Sequence, residues 1–536
     1  MEAGGTPAEA ASPAPTAAQW QEIELAFELA SGTPNPYTDL DIWVDFIHSD
    51  GEVLTRPAFW DGGNTWRCRF SSTQPSGTWH WLPHATAMEN LLLPQSGTLQ
   101  ADPPQEEKAS GLLRLAPGGR ALVHSDGTPA LVVADTAWAM PWRATVEDVE
   151  RYASDRQQKG FNAVLLMTVQ PDMGASGPRG RNIDYGFEVG FEDLANGHLN
   201  QLNVDYFQYF DRIVSTLHRH GIIPILQPVF HGFGWKGLGV AGPVVPPEEY
   251  ARYCRYLVAR YGARPAIYLV GADGSGTEPQ VEAGGIEVQR WDAYGQPTGI
   301  HYQPHSTADA YQAAEWLDFQ SCQTGHQGDH VPDRVANLWR NEPQKAVMNG
   351  EPTYEETVRP GNGAGWWQGH EAWSNLCAGG TMGVAYGAGS LWQWRVRPDE
   401  PGFHRYFLAD GAGWQEALEF EGSTYVGLVG KILAGLPTSN LQPSWDLALC
   451  SRGLVDPGVL FIAYAEHGGR WDVRDTKGHV PSPYWLIDPR TGAVVTAGRF
   501  GPGGGAIEDD STDPRVLICC DTPPRVAATG QLPAGS

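Results

Sequence analysis

The chain has 536 residues, too many for one compact core at about 100–200 residues per domain, so two or three domains are expected. Lys and Arg number 36 against 62 Asp and Glu, and the net charge of −26 would repel a phosphate backbone, which excludes nucleic acid as an expected partner. With 21 Trp, 19 Tyr and 17 Phe among 65 Gly and 42 Pro, the composition excludes a disordered or coiled-coil chain and suits β-structure and clefts that stack sugars.

Residues 1–19 (MEAGGTPAEAASPAPTAAQ) contain Glu2 and Glu9 but no basic or apolar block, so they read as a disordered lead-in rather than a signal peptide. No run approaches 18 apolar residues, so no membrane-spanning helix is expected. The 7 cysteines are scattered without CxxC spacing, as for reduced, buried thiols, and a cytoplasmic location is the expectation.

Residues 20–103 alternate with period two: Ile23, Leu25, Phe27 and Leu29, then Leu40, Ile42, Val44 and Phe46, then Trp66, Cys68 and Phe70. Turns such as SGTPNP and DGGN separate these runs, which predicts an N-terminal antiparallel β-sandwich. Residues 100–110 read as a linker. From 111 to 425, eight short apolar strands alternate with mostly amphipathic helical stretches. The strands fall at 131–136, 162–167, 222–230, 266–273, 297–302, 317–323, 345–351 and 381–389, which predicts a (β/α)8 TIM barrel. A doubly wound sheet is second choice, because no Gly-rich dinucleotide fingerprint follows the first strand. Residues 430–528 return to strands without helices, so the fold class is a central α/β barrel flanked by two all-β sandwiches. The sandwiches are candidates for packing on the barrel or for a homo-oligomer interface.

In such a barrel the chemistry sits at the carboxyl ends of the strands. The fourth strand ends at Asp273 and the seventh at Glu351. Two carboxylates across a barrel mouth suit glycosidic bond cleavage, where one protonates the leaving oxygen and the other attacks or activates water. Asp273 precedes Gly274-Ser275-Gly276 and equally suits an Asx-turn, and Glu351 could pair with Arg359 or Arg395. The other strand ends offer Asp135, Gln227, His231, His301, Gln323 and His326 for hydroxyl-rich ligands, with a structural role the alternative for Asp135. A His231/His301/His326 metal site is disfavoured by spacing, and neither metal nor cofactor is expected. Trp138, Trp142, Trp235, Trp366, Trp367, Trp392 and Trp394 follow strand ends, and some are expected to stack on sugar rings.

These residues resemble the apiosidase-like glycoside hydrolases over nearly the whole chain. LVVADTAW (131–138) is similar to that family's first-strand signature, AIYLVGADGSG to its strand-4 motif with Ala272 where Gly is usual, NGEPTYE (349–355) to its strand-7 motif, and MGVAYGAGSLWQW (382–394) to its strand-8 ending. The N-terminal sandwich resembles the uncharacterised β-domain that often precedes this barrel. YWLIDPRTGAVV (484–495) resembles a C-terminal module with a collagen-binding label, although collagen is not expected to bind. The resemblance implies Asp273 as acid/base and Glu351 as nucleophile in a retaining, exo-acting glycosidase. Asp135, Trp138, Trp142, Gln227, His231, His301, Gln323, His326, Tyr354, Trp366 and Trp392 are then the candidate substrate-binding residues. A furanose-like sugar such as apiose or arabinofuranose is the implied substrate. An endo-acting glycanase and a non-catalytic carbohydrate-binding protein are the alternatives.

Overall fold

The computed structural model describes residues 15–29, 33–86, 96–105, 110–174, 188–232, 239–304, 309–324, 332–355, 365–397, 412–448 and 452–528. The chain forms two units, Met1–Gly111 with Val258–Arg264, and Leu112–Leu257 with Pro265–Ser536.

The first unit contains two sheets. One orders Thr16–Ala18, Gly97–Asp102, Gly77–Ala85, Ile42–His48 and Val53–Pro57; the other orders Glu22–Glu28, Thr65–Ser71 and Phe59–Trp60. The period-two pattern puts Val44, Phe46, Cys68 and Phe70 inside, all fully buried, and the Phe46 and Phe70 rings stack between the sheets at 3.9 Å. The disordered lead-in expected through residue 19 ends sooner. Thr16–Ala18 form a strand parallel to Gly97–Asp102. Ala17 and Ala18 are small enough to bury there without the bulky alternation that marks a strand in sequence. Residues 1–14 lie outside the described part.

The second unit is built on a closed barrel of eight parallel strands: β1 (Val132–Thr136), β2 (Ala163–Met167), β3 (Ile223–Gln227), β4 (Ile267–Gly274), β5 (Thr298–Tyr302), β6 (Phe319–Gln323), β7 (Ala346–Glu351) and β8 (Gly383–Tyr386). Each falls within its predicted segment except β4, which runs one residue past it to Gly274. Side chains on both faces of these strands are buried, inward against one another and outward against helices, which is why the segments read as continuous apolar runs. The helix Val146–Lys159 shows how one crossover is bounded. Thr145 Oγ1 accepts from the Asp148 backbone N–H at 3.1 Å, and Asp148 accepts in return from the Thr145 N–H at 3.1 Å. Gly160 ends the helix at φ +106, and a Cβ there would sit 2.5 Å from the Gly427 carbonyl oxygen.

Helices Val204–Arg219, Pro247–Tyr261, Pro279–Trp291, Asp333–Trp339 and Trp366–Cys377 follow β2, β3, β4, β6 and β7; among the described residues no helix joins β5 to β6. The helix after β8, Glu421–Leu433, runs past the expected barrel end at 425 and packs on Trp366–Cys377. A six-stranded sheet follows, in the order Gln442–Pro443, Arg452–Asp456, Leu460–Ala465, Arg515–Cys520, Pro483–Asp488, Ala493–Arg499, with a second sheet of Trp471–Arg474 and Gly504–Ile507. Phe461, Leu486 and Leu517 of the first and Trp471 and Ile507 of the second share one core. Among the described residues no helix is long and apolar enough to cross a membrane.

Candidate active site

β4 delivers Asp273 by an irregular path. Its pairing with β5 shifts register twice, between Leu269 and Gly271 and between Ala272 and Gly274. The second shift leaves Asp273 as the extra residue of a bulge, at φ +55 in the left-handed region that aspartate tolerates better than most residues. Gly232 makes the approach feasible, because a Cβ there would fall 2.3 Å from the Asp273 Cβ. The turn beyond is fixed by Glu278, whose carboxylate accepts from the Ser275 and Gly276 backbone N–H groups at 2.7 and 2.9 Å and from Ser275 Oγ at 2.9 Å.

β7 delivers Glu351, and β5 places His301 between the two carboxylates. His301 Nε2 lies 2.6 Å from Glu351 Oε2 and 3.6 Å from Asp273 Oδ1. A carboxylate accepts, so Nε2 carries a proton; Nδ1 is hydrogen-bonded to Ser321 Oγ on β6 at 3.0 Å. Gln323, also on β6, donates its amide to Asp273 Oδ1. Gly350 keeps this packing open, since a Cβ there would meet Ser321 Oγ at 2.1 Å. The His301 side chain is fully buried and those of Asp273 and Glu351 are each 9% exposed, so their charges act through little water. One oxygen of each carboxylate and a nitrogen of His301 all lie within 4.8 Å of one another.

Among the described residues these three are the group of His, Cys, Asp and Glu compact enough to hold a cation. Ligands at about 2.0–2.2 Å from an ion are themselves spread by more than 3 Å in a tetrahedral site. The 2.6 Å contact between His301 and Glu351 is instead at hydrogen-bond distance.

One wall comes from β1 and β7. Trp138 Nε1 donates to the Tyr354 hydroxyl at 3.1 Å, and its ring lies 5.9 Å from that of His301. Burial, and then the Glu351 charge, push the Tyr354 hydroxyl well above its usual pKa, so it stays a neutral phenol. At the end of β3, Gln227 pairs in register with Met167; its amide is fully buried and neither polar atom has a protein partner. His231 is buried with both ring nitrogens unpartnered. Burial lowers its pKa to about 4, against the opposing charge of Glu278. The unfolded side chain titrates near 6.5, so between about pH 6.5 and 4 the unfolded chain binds the extra proton and stability falls as the pH falls. His231→Gln is expected to gain on the wild type in urea midpoint between pH 7 and pH 4.5, and an unchanged difference would refute the assignment.

The other predicted residues have different surroundings. Asp135 points out of the barrel: its carboxylate accepts from Arg156 Nε at 2.5 Å, the Tyr152 hydroxyl at 3.0 Å and the Thr136 N–H at 2.7 Å, and it is fully buried. A substrate hydroxyl therefore cannot reach it, and its role is structural. Trp366 opens the helix Trp366–Cys377 and packs edge-on to Tyr425 at 5.4 Å, on the side of the helix Glu421–Leu433 rather than over the carboxylates. Trp142 is buried in the short helix Met140–Arg143, and Trp392 is buried with its carbonyl accepting from the Ala139 N–H at 2.9 Å. Trp394 stacks on Trp414 at 4.7 Å as a core residue. His326 and Trp235 lie outside the described residues.

Five residues were missed. Ser321 stands two before Gln323 on the same face of β6, so the strand period could have found it. Ser275 and Glu278, three apart just before Pro279, carry a helix-start signal. Glu371 accepts from the Thr353 N–H at 2.9 Å and Oγ1 at 3.1 Å, holding the loop after Glu351. Glu355 accepts from the Tyr386 hydroxyl at 2.7 Å and the Gly422 N–H at 3.2 Å, and burial raises its pKa against those bonds.

Residues 116–440, more than half of the chain, match the model of the apiosidase-like catalytic domain. The chain belongs to the apiosidase-like family. As an apiosidase-like protein it is a glycosidase, an enzyme that hydrolyses glycosidic bonds and takes carbohydrate as substrate. Residues 16–85 match a domain of unknown function, DUF5060. No curated protein matches the chain. Among solved structures it is similar to a candidate glycoside hydrolase from Bacteroides vulgatus ATCC 8482 (TM-score 0.70, 18% identity, 94% of this chain and 99% of that one). It is also similar to a glycoside hydrolase family 5 protein from the same organism (0.64, 22%, 79% and 96%) and to another glycoside hydrolase (0.64, 21%, 77% and 98%). At these identities the likeness establishes the fold that the apiosidase-like barrel shares with them.

Proposed function

We propose that this glycosidase acts with retention at the anomeric carbon, Glu351 serving as nucleophile and Asp273 as acid/base. The observation that carries this reading is that one oxygen of Asp273 and one of Glu351 lie within 4.8 Å of each other. Retaining pairs stand about 5–5.5 Å apart, whereas inverting pairs leave about 6.5–9.5 Å for a water between them. In the first step the Glu351 carboxylate attacks the anomeric carbon, the glycosidic C–O bond breaks, and the Asp273 proton goes to the leaving oxygen. Oδ1 of Asp273 accepts from Gln323, so the transferable proton is carried on Oδ2. In the second step water gives a proton to Asp273 and its oxygen to the anomeric carbon, and the ester bond to Glu351 breaks.

Trp138 and Tyr354 provide an aromatic wall for the sugar, and the unpartnered amide of Gln227 suits a ring hydroxyl. The apiosidase-like family name supports apiose as the sugar, and the reading extends to a terminal furanose-like residue, apiose or arabinofuranose, released in exo fashion. Proton NMR of a cleavage reaction followed from its first minutes is expected to show the product with the anomeric configuration of the substrate. First appearance of the opposite anomer would refute retention, and oligosaccharides released from within a polysaccharide would refute exo action.

A further inference from the structure

We propose that His301 is a positioning residue whose single Nε2–H is handed from Glu351 to Asp273 as the negative charge of the site moves between them. This rests on the retaining reading above. In the resting enzyme that reading requires one charge, on Glu351, with Asp273 protonated. After attack Glu351 is a neutral ester, a poor acceptor, and Asp273 has lost its proton to the leaving group, so the one charge now sits on Asp273. His301 stands between these two locations, its Nε2 at 2.6 Å from Glu351 Oε2 and 3.6 Å from Asp273 Oδ1. A ring displacement of well under 1 Å, within ordinary side-chain motion, turns the second distance into a hydrogen bond.

The Glu351 carboxylate, which can only accept, draws the N–H to Nε2. Ser321 Oγ lies 3.0 Å from Nδ1, where its hydroxyl can donate, and Gly350 opens the space in which Ser321 and the ring meet. Gln323 Nε2 lies 3.4 Å from His301 Nε2, and both are donors converging on the Asp273 side. They therefore form a two-donor cradle for Asp273 that is completed only once Glu351 releases the imidazole. Hydrogen bonds to charged groups in a dry site act on both half-reactions here: the first by orienting the nucleophile, the second by stabilising the base.

The test uses the full chain with 4-nitrophenyl and 2,4-dinitrophenyl arabinofuranosides and apiosides. His301→Ala is expected to slow both formation and hydrolysis of the glycosyl-enzyme in rapid-mixing kinetics, each by roughly 10- to 100-fold, with KM for the slow step little changed. His301→Gln, which keeps an amide N–H, is expected to recover at least part of both losses. A loss confined to one half-reaction, or equal loss in the alanine and glutamine variants, would overturn the proposal. Ser321→Ala serves as a second variant if the histidine variants do not fold, and it too is expected to slow both steps. Independently of any substrate, nitrogen-15 NMR of histidine-labelled protein, with the His301 signal identified by its loss in His301→Gln, is expected to show the Nε2–H tautomer; the Nδ1–H tautomer would overturn the proposal. Azide rescue of Glu351→Ala checks the underlying reading separately, because its outcome does not depend on His301.

Discussion

Glu351→Ala is expected to reduce turnover on the order of 10⁴-fold or more, while the protein remains folded. The loss follows from what the carboxylate does in the proposed mechanism: no other described acidic group shares the 4.8 Å cluster with Asp273 and His301. Folding should tolerate the change because the truncated side chain ends at the barrel mouth, and the donor it abandons, His301 Nε2, has Asp273 Oδ1 at 3.6 Å to turn towards. Added azide should restore part of the rate by occupying the vacated space and attacking the anomeric carbon directly. The product should be a glycosyl azide of inverted configuration. Unimpaired hydrolysis by the variant would remove Glu351 from the mechanism. An azide product of unchanged configuration would remove its role as nucleophile.

The largest expected loss of stability lies at a residue far less conspicuous in the sequence. Arg156 and Asp135 form a fully buried ion pair between the helix Val146–Lys159 and β1. The guanidinium also lies over the rings of Tyr152, Phe161 and Tyr386, at 5.4, 5.4 and 5.7 Å. Although burial alone would favour its neutral form, the charge of Asp135 holds Arg156 firmly protonated. Arg156→Ala therefore leaves Asp135 with a buried charge and only the Tyr152 hydroxyl and Thr136 N–H for company, at a cost of about 3–5 kcal/mol. Replacing both partners, Asp135→Leu with Arg156→Met, should recover most of that loss, because apolar groups of similar volume need no compensating charge. Urea unfolding of the single and double variants decides it. A single variant within 1 kcal/mol of the wild type, on the scale of an exposed pair, would show that the pair is solvated.

The sequence made the barrel legible because each strand is a short apolar run closed by a polar residue and flanked by a helix with its own start and stop signals. It made Asp273 and Glu351 legible for the same reason, as acids where apolar strands end. That they face each other across the barrel mouth was expected; the chain path that brings them together was not legible. It depends on register shifts in β4 and between β6 and β7, which no local periodicity encodes. The same limit applies to His301, recognisable as a polar strand end but not as a bridge, since its neighbours come from β4, β6 and β7. Asp135 misled because strand position alone does not say which face a side chain takes. Trp366 and Trp394 misled because following a strand end is compatible with opening a helix or plugging the core. Thr16–Ala18 escaped because alanines have too little bulk to write an alternating pattern.

The bulge at Asp273 also bears on which acid this barrel can use. Glycine would relax a backbone at φ +55 but bring no proton, and a β-branched or long side chain would fit the left-handed conformation poorly. Glutamate would add a methylene to an arm that already ends within 4.8 Å of its counterpart. In the proposed mechanism aspartate is the residue that satisfies both the conformation and the reach, so the length of the proposed acid arm follows the chain path at β4.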